Sequence, residues 1–226
     1  MQNGDGRLVE VYYEAGRPAG RIACPPGLVP SPGRYVLAAA QASSALPTVL
    51  AIPLFQAGQA QDGFLVASLP REWGAGTALS MRGPVGQGFA LPGAAQRVVL
   101  AAWEGSAACL LPLVQPALAQ GSGVVLVSDS PPPDLPHEVE VQPLKAMEEA
   151  LVWGDFAALD VQRDSLPSVR ERLGRRNGIE GQVLVHAPMP CGALAECGVC
   201  AVSFRRDWKL ACKEGPVFGL RELLRV

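Results

Sequence analysis

Between Gly83 and Gly93 the chain changes rhythm, and this change constrains its fold more than any other feature. The segment Gly83-Pro-Val-Gly-Gln-Gly-Phe89, then Leu91-Pro-Gly93, is built of turn formers and reads as a boundary. Before it, short β-rich runs at 8–13, 34–40, 48–55, 63–68 and 78–82 are separated by signals such as Pro25-Pro-Gly27 and Trp73-Gly-Ala-Gly76. Short strands so spaced predict a small antiparallel β-barrel. After it, strands alternate with helices. Strands are expected at 97–102, 123–128, 139–142, 157–161 and 182–186, and helices at 106–120, at 144–152, and from Ser165 to Arg176 with a stop at Asn177-Gly178. That alternation predicts a doubly wound parallel sheet. The expected class is therefore β + α/β: a barrel over 1–93, an α/β unit over 94–187 and a C-terminal segment over 188–226.

The C-terminal segment holds the strongest chemical signal. Cys191, Cys197, Cys200 and Cys212 give the spacing C-x5-C-x2-C-x11-C, close to the arrangement by which plant-type ferredoxins hold a 2Fe-2S cluster. Each iron takes two thiolates, so three cysteines on one tight loop and a fourth arriving from elsewhere can enclose both irons. Gly192, Ala193, Ala195 and Gly198 are small enough to let backbone N–H groups approach cluster sulfurs. Four thiolates also suit zinc, although structural zinc favours short-spaced pairs on two turns, and here only Cys197 and Cys200 form such a pair. Two disulfides are the remaining reading, and neither a signal peptide nor a high cysteine density supports it.

Met189-Pro-Cys-Gly192, the Cys197/Cys200 pair and Cys212-Lys-Glu-Gly-Pro-Val-Phe218 resemble the electron-transfer subunit of bacterial two-component dihydroorotate dehydrogenases. The resemblance implies a barrel of ferredoxin-reductase type resembling an FAD-binding domain, an α/β domain resembling an NAD-binding one, and a terminal 2Fe-2S loop. It implies that Cys191, Cys197, Cys200 and Cys212 are the four cluster ligands. It also implies a partner: a catalytic flavoprotein or another redox subunit in a hetero-oligomer. The family has four residues between its first two cysteines, whereas five lie between Cys191 and Cys197.

The nucleotide motifs of that family depart further. Its flavin strand carries an arginine and a hydroxyl for the flavin phosphate, but Leu46-Pro-Thr-Val-Leu-Ala-Ile-Pro-Leu-Phe55 has no arginine, and Arg34 and Arg71 lie far from it in sequence. FAD is accordingly left open as a cofactor. The family's glycine-rich dinucleotide turn corresponds to Ala102-Trp103-Glu104-Gly105-Ser106-Ala107-Ala108-Cys109, where Trp103 fills space and Glu104 repels phosphate. NAD(P) binding is not expected.

Composition limits the remaining function classes. A net charge of −2 with no long basic patch argues against a nucleic-acid partner. The apolar runs at 98–102 and 123–127 are too short to span a bilayer, and a cytoplasmic location is expected. Cys24 and Cys109 sit among small or apolar residues and read as buried structural cysteines. His186 ends a strand near the cysteine run and reads either as a packed strand histidine or as a donor to the cluster's surroundings. Glu196 either tunes the cluster or is solvated. Arg163, Arg170, Arg172, Arg175 and Arg176 form a basic stretch, either a solvated face or a docking surface. The expected role is a redox subunit of a larger oxidoreductase rather than a stand-alone enzyme. The alternatives are a complete FAD-containing NAD(P)H reductase subunit with atypical flavin contacts, or a non-enzymatic subunit with a zinc or inert cluster site.

Overall fold

The computed structural model describes residues 2–14, 16–41, 50–174, 180–204 and 207–224. The first half is one antiparallel sheet of seven strands: β1 (Gln2–Glu14), β2 (Arg17–Ala23), β3 (Tyr35–Ala40), β4 (Ile52–Phe55), β5 (Gly58–Ala60), β6 (Gly63–Val66) and β7 (Ala78–Val85). Their order is β4-β3-β7-β1-β2-β6-β5. The end strands β4 and β5 do not pair with each other among the described residues, so the expected barrel is a half-barrel. Pro53 has no N–H to donate and is accommodated on edge strand β4, whose one partner among the described residues is β3. Leu8, Ile22, Val36, Leu54, Phe64 and Leu79 fill the concave side. Thr48 and Val49, expected to begin the strand ending at Phe55, lie outside the described residues with Leu46 and Pro47; so do Arg175, Arg176 and the Asn177-Gly178 stop.

The second half comprises β8 (Arg97–Ala102), α1 (Val114–Ala119), β9 (Gly123–Val127), β10 (Val139–Gln142), α2 (Met147–Trp153), β11 (Phe156–Gln162), α3 (Leu166–Leu173) and β12 (Gly181–His186). It continues through the hairpin β13 (Ala201–Ser203) and β14 (Trp208–Leu210) to β15 (Val217–Gly219) and α4 (Leu220–Leu224). The large sheet has the order β10-β9-β8-β11-β12-β15. Its first five strands are parallel, but β15 runs antiparallel to β12, which corrects the expectation of a wholly parallel sheet.

Side-chain alternation divides this sheet into two cores. Val99, Ala101, Val125, Val127, Leu159 and Val183 face α2, α3 and α4. Val98, Leu100, Val124, Leu126 and Ala158 face α1 and the 3₁₀ turn before it, Ala108–Leu113. The single helix expected at 106–120 is thus split. Pro112 lies inside the 3₁₀ segment, and its ring cannot be accommodated in a continuous α-helix without loss of a backbone hydrogen bond.

The first core also contains Tyr35 and Leu37 of the half-barrel together with Cys200, Cys212 and Phe218. Half-barrel, α/β sheet and cysteine segment therefore share one packed interior. Among the described residues no helix is long and apolar enough to cross a membrane.

Candidate functional site

Two features face chemistry: the cysteine segment and a cleft between the sheets. No disulfide joins any of the six cysteines in this structure. The backbone takes left-handed φ at Gly192 (60°), Ala193 (62°), Ala195 (62°) and Gly198 (69°). These are the small residues singled out in the sequence. Two of them are alanines held where an L side chain is disfavoured, a cost that surrounding contacts must offset.

The turn brings Cys191 and Cys197 into side-chain contact. That contact is the largest reason the Cys191 thiol titrates below the ordinary range; burial opposes it, and the backbone N–H groups of Glu196, Cys197 and Leu194 reinforce it. The second pair is assembled by the β13–β14 hairpin, in which Ala201 sits opposite Leu210 and the Ala211 N–H donates to the Cys200 carbonyl at 3.1 Å. Cys200 and Cys212 are thereby placed in contact. Burial first, and then the Cys200 thiol, push Cys212 above the ordinary range, while the Ala195 N–H opposes this. Cys191 acts electrostatically on Cys212 as well, so the two pairs belong to one constellation. Cys200 and Cys212 are buried, Cys191 is partly buried and Cys197 is exposed. Glu196 is solvent-exposed. The loop is further tied to the half-barrel by Arg82, whose guanidinium donates to the Gly192 carbonyl.

The donor set fits a 2Fe-2S group: four thiols in two contacting pairs, backbone N–H groups aimed at sulfur, and one open side at Cys197. Four thiols also meet the elementary requirement of zinc.

The second feature is a cleft of about 480 Å³ at the carboxyl ends of the parallel strands. Ile52, Pro53 and Phe55 line its half-barrel side; Trp103, Glu104, Cys109, Asp160 and His186 line the α/β side. Sheets of this type bind ligands at such strand ends, where the order reverses between β8 and β11. His186 Nε2 lies 2.8 Å from Asp160 Oδ1. Burial works to lower the His186 pKa, but the charge and hydrogen bond of Asp160 outweigh burial and the opposing charge of Arg17, leaving it raised. His186 also stacks edge-on against Phe55, with ring centroids 5.0 Å apart. It is thus a packed strand histidine that faces the cleft. Asp160 was not legible as a site residue in the sequence; the available signal was its position near the end of an expected strand, level in the sheet with Ala102, the residue before Trp103.

The segment expected to be a degraded dinucleotide turn follows β8 and borders the cleft. Glu104 has a left-handed φ of 53°, and its carboxylate accepts a hydrogen bond from Ser165 Oγ at 3.3 Å. Trp103 is buried, with the Arg172 guanidinium 5.6 Å from its ring centroid. Arg34 donates to the carbonyls of Pro84 and Gly86, which gives it a structural role in the boundary turn. Arg17, at the start of β2, is the cation that lines the cleft. Arg163 donates to the backbone carbonyl of Val199, Arg170 to those of Leu223 and Ser203, and Arg172 to those of Leu144 and Lys145, so these three side chains of the basic stretch also tie the chain together.

A half-barrel followed by a doubly wound sheet defines the fold class: it is that of the ferredoxin reductases. Among solved structures, the chain is similar to that of an NADH-dependent reduced ferredoxin-NADP oxidoreductase studied for flavin-based electron bifurcation, with TM-score 0.73 and 18% identity over 96% of this chain and 88% of that one. It is also similar to the ferredoxin reductase in carbazole 1,9a-dioxygenase, with TM-score 0.62 and 16% identity over 80% and 68%. A third is the flavohem-like FAD/NAD binding domain of nitric oxide dioxygenase from Vibrio cholerae O1 biovar El Tor, with TM-score 0.55 and 14% identity over 82% and 100%. No protein-family model and no curated protein sequence matches the chain.

Proposed function

We propose that this protein is an electron-transfer component of an oxidoreductase, holding a 2Fe-2S cluster on Cys191, Cys197, Cys200 and Cys212. The observation that carries this reading is the convergence of the four thiols in two contacting pairs, with backbone N–H groups turned toward Cys191 and Cys212. A bound cluster supplies reversible one-electron exchange. The chain's own contribution is to hold four thiolates, donate N–H groups to sulfur and keep Cys200 and Cys212 dry, while Cys197 faces solvent on the side open to a partner. The partner is a flavoprotein or another redox subunit, as the resemblance to the dihydroorotate dehydrogenase electron-transfer subunit suggests.

The cleft favours a second reading, in which the chain is a complete reductase subunit that also binds FAD. Its position at the switch point and its aromatic lining suit a planar ring system, and Arg17 offers a phosphate-binding cation that the flavin strand lacks. The fold supports both readings. Anaerobic purification followed by iron, sulfide, zinc and flavin analysis separates them. About two iron and two sulfide per chain without flavin supports the first; the same with stoichiometric FAD supports the second. Zinc on the four cysteines without iron overturns both.

A further inference from the structure

We infer that Cys109, Asp160 and His186 form a second metal site, suited to zinc, on the α/β wall of the cleft. Their donor atoms all lie within 4.8 Å of one another. A tetrahedral zinc ion with bonds of about 2.0–2.3 Å sets its ligands roughly 3.3–3.8 Å apart. The observed spacings, from 2.8 Å for His186 Nε2 to Asp160 Oδ1 up to that limit, bracket this range. Small side-chain shifts, without backbone rearrangement, bring the three donors to ligand distance. One thiolate, one imidazole and one carboxylate make a borderline-soft set that matches zinc better than magnesium or calcium.

The elements that carry the three residues are fixed by the sheet. Asp160 is near the end of β11 and His186 ends β12, its neighbour, with Gln162 opposite His186 in the parallel register. Asp160 shares a sheet face with Ala158, and Cys109 enters that face from the 3₁₀ turn following β8. Cys109 and Asp160 are only 8% and 7% exposed, yet both border the cleft, so the ion has three anchored donors and an open fourth position for water or a ligand oxygen. Such an open position characterises reactive rather than structural zinc. The segment that lacks the family's phosphate-binding glycines thus supplies, at Cys109, a ligand of different chemistry. Binding is a proton-coupled exchange without redox change: the Cys109 thiol proton and any proton shared by Asp160 and His186 leave to solvent as the metal–ligand bonds form.

The test uses the full chain, freed of zinc by a mild chelator and titrated with Zn²⁺ or Co²⁺. About one zinc per chain should bind, with iron and sulfide unchanged. X-ray absorption should show a single sulfur neighbour and otherwise nitrogen or oxygen. His186→Gln and Asp160→Asn should each weaken zinc binding about 100-fold or more, and Cys109→Ser should remove the sulfur neighbour. Near-ultraviolet circular dichroism identifies any variant that misfolds, and the conservative Cys109→Ser then stands as the deciding variant. A four-sulfur shell would place zinc on the C-terminal cysteines and overturn this site, as would zinc affinity unchanged in folded variants. Because the sulfur count separates the two locations, failure here is distinguishable from failure of the cluster assignment.

Discussion

The phenolic oxygen of Tyr35 donates a 3.0 Å hydrogen bond to the backbone carbonyl of Cys212, 177 residues later. Tyr35 is fully buried, and burial, followed by the nearby cysteine charges, pushes its phenol far above the ordinary range, so it remains a donor throughout the accessible pH range. The bond secures the last cysteine against the half-barrel. Tyr35→Phe keeps the ring and leaves the carbonyl unsatisfied, which should cost about 1–3 kcal/mol in urea unfolding of the full chain. A change below about 0.3 kcal/mol would show that the carbonyl finds another donor.

Replacing any one of Cys191, Cys197, Cys200 or Cys212 by serine should remove most of the visible absorbance and bound iron, because a 2Fe-2S group needs all four thiolates. Cys24→Ser and Cys109→Ser should leave both intact. Equal iron in all six variants would remove the C-terminal assignment.

Burial, with a further contribution from Asp62, pushes the Cys24 thiol up to about 11 from 9.0. The folded state therefore holds this proton more tightly than the unfolded chain. The associated stability is fully present below pH 9 and is lost as pH rises to 11, by about 1–2 kcal/mol. Cys24→Ser removes this dependence, so the difference in unfolding free energy between wild type and variant should shift by that amount from pH 8 to pH 11. Parallel curves would count against the cause given.

Glu104 occupies a left-handed position suited to glycine. Glu104→Gly should stabilise the chain by about 1 kcal/mol in urea, since relief of the backbone exceeds the loss of an exposed hydrogen bond to Ser165. Destabilisation would mean that the Ser165 contact outweighs the strain.

If the cleft accepts FAD, Arg17→Ala should lower FAD affinity about tenfold through loss of a charge-assisted contact, with iron content unchanged. Fluorescence quenching of added FAD measures it; equal affinity would separate Arg17 from the phosphate.

Residue alternation and turn chemistry sufficed for β8, β9 and β11, whose apolar runs are long enough to be buried on both faces. They failed at β2. No strand is expected between the runs at 8–13 and 34–40, yet Pro18 and Gly20 both lie in the ladder opposite Tyr13 and Val11. Gly20 is required there, because a Cβ would sit 2.3 Å from the Glu10 carbonyl oxygen. That close approach is a property of the neighbouring strand, invisible in local sequence. β13, β14 and β15 are three residues each and too short to carry a period. The four cysteines were legible because three share one loop. The Cys109, Asp160 and His186 grouping was not, because 51 and 26 positions separate its members in sequence and only the order of β8, β11 and β12 brings them together.

The pairing of β12 with β15 gives the cysteine segment a neck. Leu184 sits opposite Val217, so everything between them is an excursion that leaves the sheet and re-enters it at the adjacent strand. Closing a free loop of some 32 residues costs about 3 kcal/mol in chain entropy, a cost met here by the sheet before any metal arrives. The segment therefore leaves and re-enters at one edge of the sheet yet completes the body it hangs from: Met189, Cys200, Val202, Ala211 and Cys212 are buried in the first core, so replacing residues 187–214 with a short turn should open a cavity there and destabilise both sheets.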